Sequence, residues 1–431
     1  MNVPALRFKD DDGQEFPEWE VKLFGDIFTF IQTNSFSRVL LNYDYGIVKN
    51  IHYGDIHTKY RSNFKIRYET VPFINSDVDI TNISSDCYCK EGDLIIADAS
   101  EDYADIGKSI EIINTDNQKL LAGLHTYIAR DLTHKMSLGF SGYLMQTESV
   151  RLQIKTLATG ISVLGISKVN LRKVKLNIPS LPEQTKIANF LTAVDDKITL
   201  LTKKADLLSQ YKKGVMQQIF SQELRFKDDD GQEFPEWGIK KLSDEDIYIS
   251  DGNYGEQYPK ANELKQAGVP FIRANNMSGL SLSWADMKFI DNSLHEMLTS
   301  GHLETDDILI TTRGEIGMVA YVNSDFNGAN INAQICLIRI KDKHKINSKY
   351  LVQLLSSSFC QRQFKELQTG SALKQLPKKN LSQVDFYCPI TEEQNKIANF
   401  LTAIDEKITS NQTQLDAVKQ YKQGLLQQMF V

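Results

Sequence analysis

The stretch EQTKIANFLTAVDDKIT at 183–199 returns as EQNKIANFLTAIDEKIT at 393–409, with three mild differences. The match extends outward from there. Downstream, YKKGVMQQIF at 211–220 answers YKQGLLQQMF at 421–430, and upstream TGISVLGISKVNL at 159–171 answers TGSALKQLPKKNL at 369–381, all at an offset of 210 residues. A third pair is identical, since LRFKDDDGQEFPEW stands at 6–19 and again at 224–237. The chain is a tandem duplication in which constant parts flank two divergent blocks, about 21–158 and 238–368.

The repeated 183–199 stretch opens a periodic segment. Ile187, Leu191, Val194, Ile198, Leu201, Ala205, Leu208, Lys212, Val215 and Ile219 follow one another in steps of four and three, the spacing of a coiled-coil seam. The second copy reads Ile397, Leu401, Ile404, Ile408, Asn411, Leu415, Val418, Lys422, Leu425 and Met429, so Lys212 and Lys422 are equivalent and Asn411 stands where the first copy has Leu201. Ser180 with Glu183, and Thr391 with Gln394, have the spacing of capping boxes, and Pro182 suits a first helical turn. Each helix of roughly 38 residues would be a rod of about 57 Å. Two matching seams favour pairing with each other, against the plainer alternative of core packing onto the divergent blocks.

The divergent blocks alternate short apolar runs (DLIIADA, SIEIIN, DILITT, CLIRIK) with Gly, Asn and Asp turns and a helical stretch SKYLVQLLSSSFCQRQFKEL, which predicts mixed α/β domains. The expected division is 1–158 and 223–368 as globular domains, with 159–222 and 369–431 as repeats carrying the long helices.

At 431 residues, with 41% hydrophobic and 24% charged residues, the composition is that of an ordered globular protein of more than one domain. The start MNVPALRFKDDDG lacks the pattern of a signal peptide, and no apolar run is long enough to span a bilayer, so a cytoplasmic location without membrane attachment is expected. Five cysteines without a CxxC pair suit reduced thiols and argue against zinc. The net charge of −6 lies entirely in the two LRFKDDDGQEFPEW copies, each with five acids against two bases, which leaves the rest neutral and free to carry local basic patches.

Marks of catalysis are weak. Neither GxGxxG nor GxxxxGK[ST] occurs, and no Pro-Pro pair is present for an adenine-methyltransferase motif. A nuclease-like ExK at Glu20 to Lys22 is GIK in the second cycle. His52 and His57 in NIHYGDIHTKY suit a polar loop better than a metal, and RGEIG from Arg313 is either a phosphate cradle or a turn between strands. What accumulates is equipment for nucleic acid: Asn253, Tyr254, Gln257, Arg273, Asn275, Asn276, Arg313 and Gln334 on loops of the second block, with Tyr45, His52, Tyr53, His57, Thr58, Lys59 and Ser100 in corresponding stretches of the first. The junctions add Lys168, Arg172, Lys173 and Lys175 in one cycle and Ser371, Lys374, Lys378 and Lys379 in the other, which suit phosphates.

The two-cycle order, the LRF…FPEW lead-in, the TG(I/S) junction and the EQxKIANFLTAxDxKI helix together resemble the specificity subunits of type I restriction-modification systems. The resemblance implies two target-recognition domains held apart by two long helices packed as an antiparallel coiled coil, in a pseudo-twofold molecule whose ends come close together. It implies that each domain reads one half of a bipartite double-stranded DNA target, that the helices set the gap, and that the chain itself is non-catalytic and holds no cofactor or metal. It further implies two modification subunits that carry S-adenosylmethionine and methylate adenine at N6, and restriction subunits that use ATP and Mg. By position His52, Tyr53, His57, Thr58 and Lys59 match the early recognition loop of the first domain, and Arg273, Asn275 and Asn276 that of the second. Two readings of other classes stand beside it: a tandem protein-interaction scaffold without DNA specificity, and a self-sufficient nuclease resting on Glu20 and Lys22.

Overall fold

A computed structural model describes residues 4–254, 258–260 and 263–430. The chain forms two compact units, Met1–Thr202 with Thr413–Val431, and Lys203–Gln412. Both long helices form, Leu181–Phe220 over 40 residues and Thr391–Met429 over 39. Each contributes its first half to one unit and its second half to the other.

The first unit has a five-stranded sheet in the order Phe28–Ile31, Thr126–Asp131, Leu94–Ala97, Ser109–Asn114, Asn63–Lys65, and a four-stranded sheet that includes Val48–Ile51 and Lys119–Ala122. The second unit has a four-stranded sheet in the order Ile247–Asp251, Ile335–Ile340, Ile308–Thr311, Val319–Tyr321, and a three-stranded sheet around Val269–Ile272. The apolar runs are therefore strands. The stretch SKYLVQLLSSSFCQRQFKEL is two helices, Ser348–Leu355 and Ser358–Glu366, separated at Ser356 and Ser357. The fold is mixed α/β, as the alternation of runs and turns predicts.

Every seam position is buried or half-buried, and the helices run antiparallel within each unit. In the first unit Ile187, Leu191 and Val194 share a core with Leu425, Met429 and Phe430. In the second, Val215, Ile219 and Phe220 share one with Ile397, Leu401 and Ile404. The plainer alternative also contains truth, because those cores include Phe140 and Tyr143 in one unit and Tyr350 and Phe364 in the other. Each helix start thus packs on its partner helix and on a domain together.

The seam lysines are the register markers. Lys212 Nζ lies 2.6 Å from Asp405, which also accepts from Gln353 Nε2 at 2.7 Å. Lys422 Nζ lies 2.7 Å from Asp195, which also accepts from the Tyr143 hydroxyl at 2.8 Å. A half-buried charge in an apolar seam has a partner at only one stagger of the two helices, so the pair fixes register at some expense of stability.

The capping-box reading of Ser180 with Glu183 and of Thr391 with Gln394 is overturned. Ser180 Oγ meets no hydrogen-bond partner among the described residues, and the Thr391 hydroxyl donates to the His344 carbonyl at 2.6 Å. Glu183 is fully buried and takes two bonds from Arg7, 2.9 and 2.7 Å; Glu393 takes two from Arg225, both 2.9 Å. Gln184 donates to the carbonyls of Pro179 in the preceding loop and of distant Lys135, Gln394 likewise to Pro389 and Lys345, and each accepts one backbone N–H. The reason is the strength of the interactions: a charge-assisted bidentate Arg–carboxylate pair outweighs one hydroxyl cap.

The duplicated LRFKDDDGQEFPEW segment therefore clamps each long helix. Phe8 meets Phe190 edge-on at 5.6 Å and Phe226 meets Phe400 likewise. The acids build a hairpin in which Asp10 accepts from the N–H groups of Asp12 and Gln14, as Asp228 does from Asp230 and Gln232. Asp11 and Asp229 then hold Lys186 and Lys396, each at 2.6 Å. The chain also closes on itself in the expected way: Leu6 N donates to Gln428 O at 2.9 Å as Leu224 N donates to Gln218 O at 3.0 Å.

Removing Arg7 or Arg225 leaves a buried carboxylate unpaired. Arg7→Ala and Arg225→Ala are each expected to destabilise their unit by about 3 to 5 kcal/mol, whereas Lys9→Ala, in an exposed pair with Glu15, should stay within about 0.5 kcal/mol. Urea unfolding followed by tryptophan fluorescence measures both.

Candidate nucleic-acid interface

One strand pair organises the candidate residues in each unit. Asp93 and Arg130 form a bidentate pair, both bonds 2.7 Å, at one end of the antiparallel strands Leu94–Ala97 and Thr126–Asp131. Asp307 and Arg339 form the same pair, both bonds 2.7 Å, on Ile308–Thr311 and Ile335–Ile340. The candidate residues collect at the opposite end, where the registers Thr126↔Ala97 and Ile335↔Thr311 make His125 equivalent to Gln334 and Asp98 to Thr312.

In the first unit that end gathers aromatic and cationic side chains. Tyr53 stacks on His52 with centroids 4.7 Å apart and meets the edges of His57 and His125. His57 Nε2 bonds the Ala99 carbonyl at 3.0 Å, its own carbonyl accepts from Lys108, and His125 Nδ1 lies 3.2 Å from Asp98. His52 caps the helix Tyr53–Thr58 by accepting from Gly54 N at 3.1 Å. Burial, with the neighbouring Arg38, holds its pKa below the ordinary histidine value, which keeps the ring a neutral acceptor. Both histidines are thus engaged by the protein backbone.

Beside them Asp55 is buried and paired with Arg38 at 2.7 Å and Lys59 at 2.9 Å. Burial alone would raise its pKa, but the two cations outweigh it and hold it below the usual carboxylate range. Two cations around one carboxylate leave a net positive surface. Thr58 is exposed and bonds back to Gly54 O, and Tyr45 stands out on a turn anchored through Asn42. Ser100 is buried and closes the turn at Asp102. Lys168 lies over the rings of Tyr127 and Phe30 at 5.0 and 5.6 Å, and burial beside Asp98 pushes the Tyr127 hydroxyl up to about 12.

In the second unit the same end carries Arg313, whose guanidinium lies 5.1 Å over the Tyr254 ring, while the Tyr254 hydroxyl donates to Ala333 O at 2.8 Å. Gln334 is exposed one residue on, its carbonyl accepting from Thr312 N at 2.7 Å. Asp251, Thr312, Gln375 and Lys378 complete an open recess of about 270 Å³ with Tyr254 and Arg313. The RGEIG segment is a turn between strands, with Gly314 and Gly317 at positive φ. Ser371 and Lys374 are exposed on the adjoining hairpin.

Other candidates have structural jobs. Asn253 is buried and its Oδ1 accepts from Thr299 N, Ser300 N and the Ser300 hydroxyl. Arg273 and Asn275 both bond Asp286, and buried Asn276 holds Ala285 O at 2.9 Å. Gln257 lies outside the described residues. Arg38, Asp98, His125, Asp251 and Gln375 belong to the two groups and were missed by the sequence reading. The isolated DLIIADA and DILITT echoes pointed to their strands, but the register that brings His125 and Gln334 alongside is not local information. Glu20, exposed, and Lys22, half-buried, on a strand paired with Lys175–Ile178, form an ion pair with each other.

A duplicated frame whose two equivalent strand ends carry unlike side chains defines a tandem recognition protein. The chain belongs to the type I restriction modification DNA specificity domain family, whose model matches residues 17–210 and 236–420. A protein of Methanocaldococcus jannaschii assigned as the specificity subunit of the type I restriction enzyme MjaX is 25% identical over 97% of this chain and 94% of its own length. The fold is similar to the S subunit of a type I restriction-modification system from M. genitalium, with 14% identity, TM-score 0.62, and 100% and 99% of the two chains covered. It is also similar to a chain from a type I R-M system solved for its complex assembly and conformational transition, with 15% identity, TM-score 0.55, and 96% and 98% covered.

The different burdens of these side chains separate on mutation. Asn253→Ala is expected to lower unfolding free energy by about 1 to 3 kcal/mol, since it removes a buried acceptor that ties down the N–H groups of Thr299 and Ser300. Arg313→Ala and Lys374→Ala, both exposed, should stay within about 0.5 kcal/mol. Thermal melting of the three variants checks this.

Proposed function

We propose that this chain is the DNA-specificity subunit of a type I restriction-modification complex, each unit reading one half of a bipartite duplex target. The observation that carries the reading is the pairing of like frames with unlike readers: His125, Tyr53 and Lys59 on one, Gln334, Tyr254 and Arg313 on the other, at the same end of the same strand pair. Exposed Arg and Gln pair bidentately with guanine and adenine edges in the major groove, and each good pair adds about 1 to 3 kcal/mol of discrimination. The junction cations suit phosphates and fix orientation. A protein-interaction scaffold would not require two differently furnished cationic strand ends.

Two modification subunits binding S-adenosylmethionine and methylating adenine at N6, and restriction subunits using ATP and Mg, are the partners this reading calls for. The long helices with their lysine-fixed register act as the ruler for the gap between half-sites. Among the described residues no helix is long and apolar enough to cross a membrane.

Mapping N6-methyladenine in cells with and without this gene, partners expressed, should reveal a two-part motif that vanishes with the gene; an unchanged methylation pattern sinks the proposal. Removing one matched heptad from both long helices should shorten the tolerated gap and leave the half-sites as they were. Altered half-sites with an unchanged gap would reverse the division of labour between readers and ruler.

A further inference from the structure

The TG junctions are the repeated element that the frame and the readers leave unexplained. In the first, Thr159 and Gly165 exchange backbone bonds of 2.9 and 2.7 Å; in the second, Thr369 and Gln375 exchange bonds of 2.8 and 2.9 Å. Both enclose a tight hairpin. Gly160 has φ 127° and Gly370 φ 92°, and a Cβ on either would meet the carbonyl oxygen of Val163 at 2.1 Å or of Leu373 at 2.3 Å. Only glycine permits these turns.

The tips so presented are apolar. Ile161 is 101% exposed, Val163 54% and Leu373 88%, and Val163 and Leu373 occupy equivalent places in the two copies. A single exposed apolar side chain is ordinary, but here the equivalent hairpin bears one in both units. The hairpin bases are joined to the candidate readers: Leu164 pairs with Ser100, and Gln375 with Arg313. Exposed cations flank them, Lys168 and Arg172 on one side, Lys374 and Lys378 on the other. An apolar tip with a polar rim would also suit a protein partner, but cations beside both tips favour a polyanion. A nucleic-acid groove suits both features, since its walls are phosphates and its floor offers thymine methyls and stacked base faces.

We propose that the two hairpins are apolar DNA probes, with Ile161 and Val163 in the first and Leu373 in the second pressed against bases inside a groove while the neighbouring cations hold the phosphates. The proposal rests on the DNA-reading function above. It assigns to the TG junction a contact that adds affinity through buried apolar surface and releases no counterions. Its signature is therefore a loss of affinity at an unchanged salt slope, unlike that of a lysine.

The test uses the full chain assembled with its modification subunits and a fluorescein-labelled duplex carrying the site mapped from adenine methylation, with a scrambled duplex as reference. The double variant Ile161→Ser with Val163→Ser, and separately Leu373→Ser, should each weaken binding about tenfold, with the slope of log affinity against log salt unchanged, and Leu373→Met should recover most of the loss. Because the tips are exposed, melting temperatures should not move, which separates the effect from misfolding. Serine variants that bind as tightly as the parent overturn the probes and leave the DNA-reading function standing. Variants that shed modification subunits instead of losing duplex affinity overturn them in favour of a protein contact. A parent assembly that does not prefer its site over the scrambled duplex overturns both proposals.

Discussion

A carboxylate buried at the start of a helix must find a cation, and the rest of the frame follows from that demand. Glu183 and Glu393 are fully buried, and leaving such a charge unpaired costs several kcal/mol. Each takes a bidentate pair from the arginine of LRFKDDDGQEFPEW, which draws that segment onto the helix and sets its phenylalanine against Phe190 or Phe400. The copies are identical in sequence because they meet near-identical helix starts. Even so the surroundings differ in detail: Trp237 Nε1 donates to Glu393 at 2.8 Å, while Trp19 Nε1 meets no acceptor among the described residues.

The same logic explains why acidity in this segment is compatible with a DNA-binding family. Asp10 and Asp228 shape their hairpins by accepting backbone N–H groups, and Asp11 and Asp229 neutralise lysines of the helix. Asp11, Glu15, Asp229 and Glu233 thus pair with the scaffold's own lysines. Exposed cations such as Lys59, Lys168, Arg313 and Lys374 lie elsewhere, at the strand ends and TG hairpins, so net charge and local surface charge carry different information.

Divergence is confined to what the frame does not need. The pairs Asp93–Arg130 and Asp307–Arg339, with both carboxylates buried, anchor one end of each central strand pair, and the far end is free to vary. There the first unit places a histidine and tyrosine cluster and the second an arginine stacked on tyrosine. Recognition can change at that end without disturbing the Asp–Arg pair at the other.

The duplication, the two long helices, the seam and the main strands were legible in the sequence, because periodicity and repeated words depend on neighbours a few residues apart. The seam lysines were visible as exceptions, though their partners Asp195 and Asp405 were not. A local rule gives way where a distant charge competes: Ser180 and Glu183 have capping-box spacing, yet Glu183 belongs to Arg7, 176 residues away. Sequence is likewise silent on which polar loop residues are exposed, since Asn253 and Gln334 look alike and only packing buries one and exposes the other. What the sequence determined by itself was the repeated frame, through short-range pattern. What only the tertiary structure decided was the pairing of buried charges and the exposure of the readers, because both depend on which residues the folded chain brings together across separations that no local pattern records.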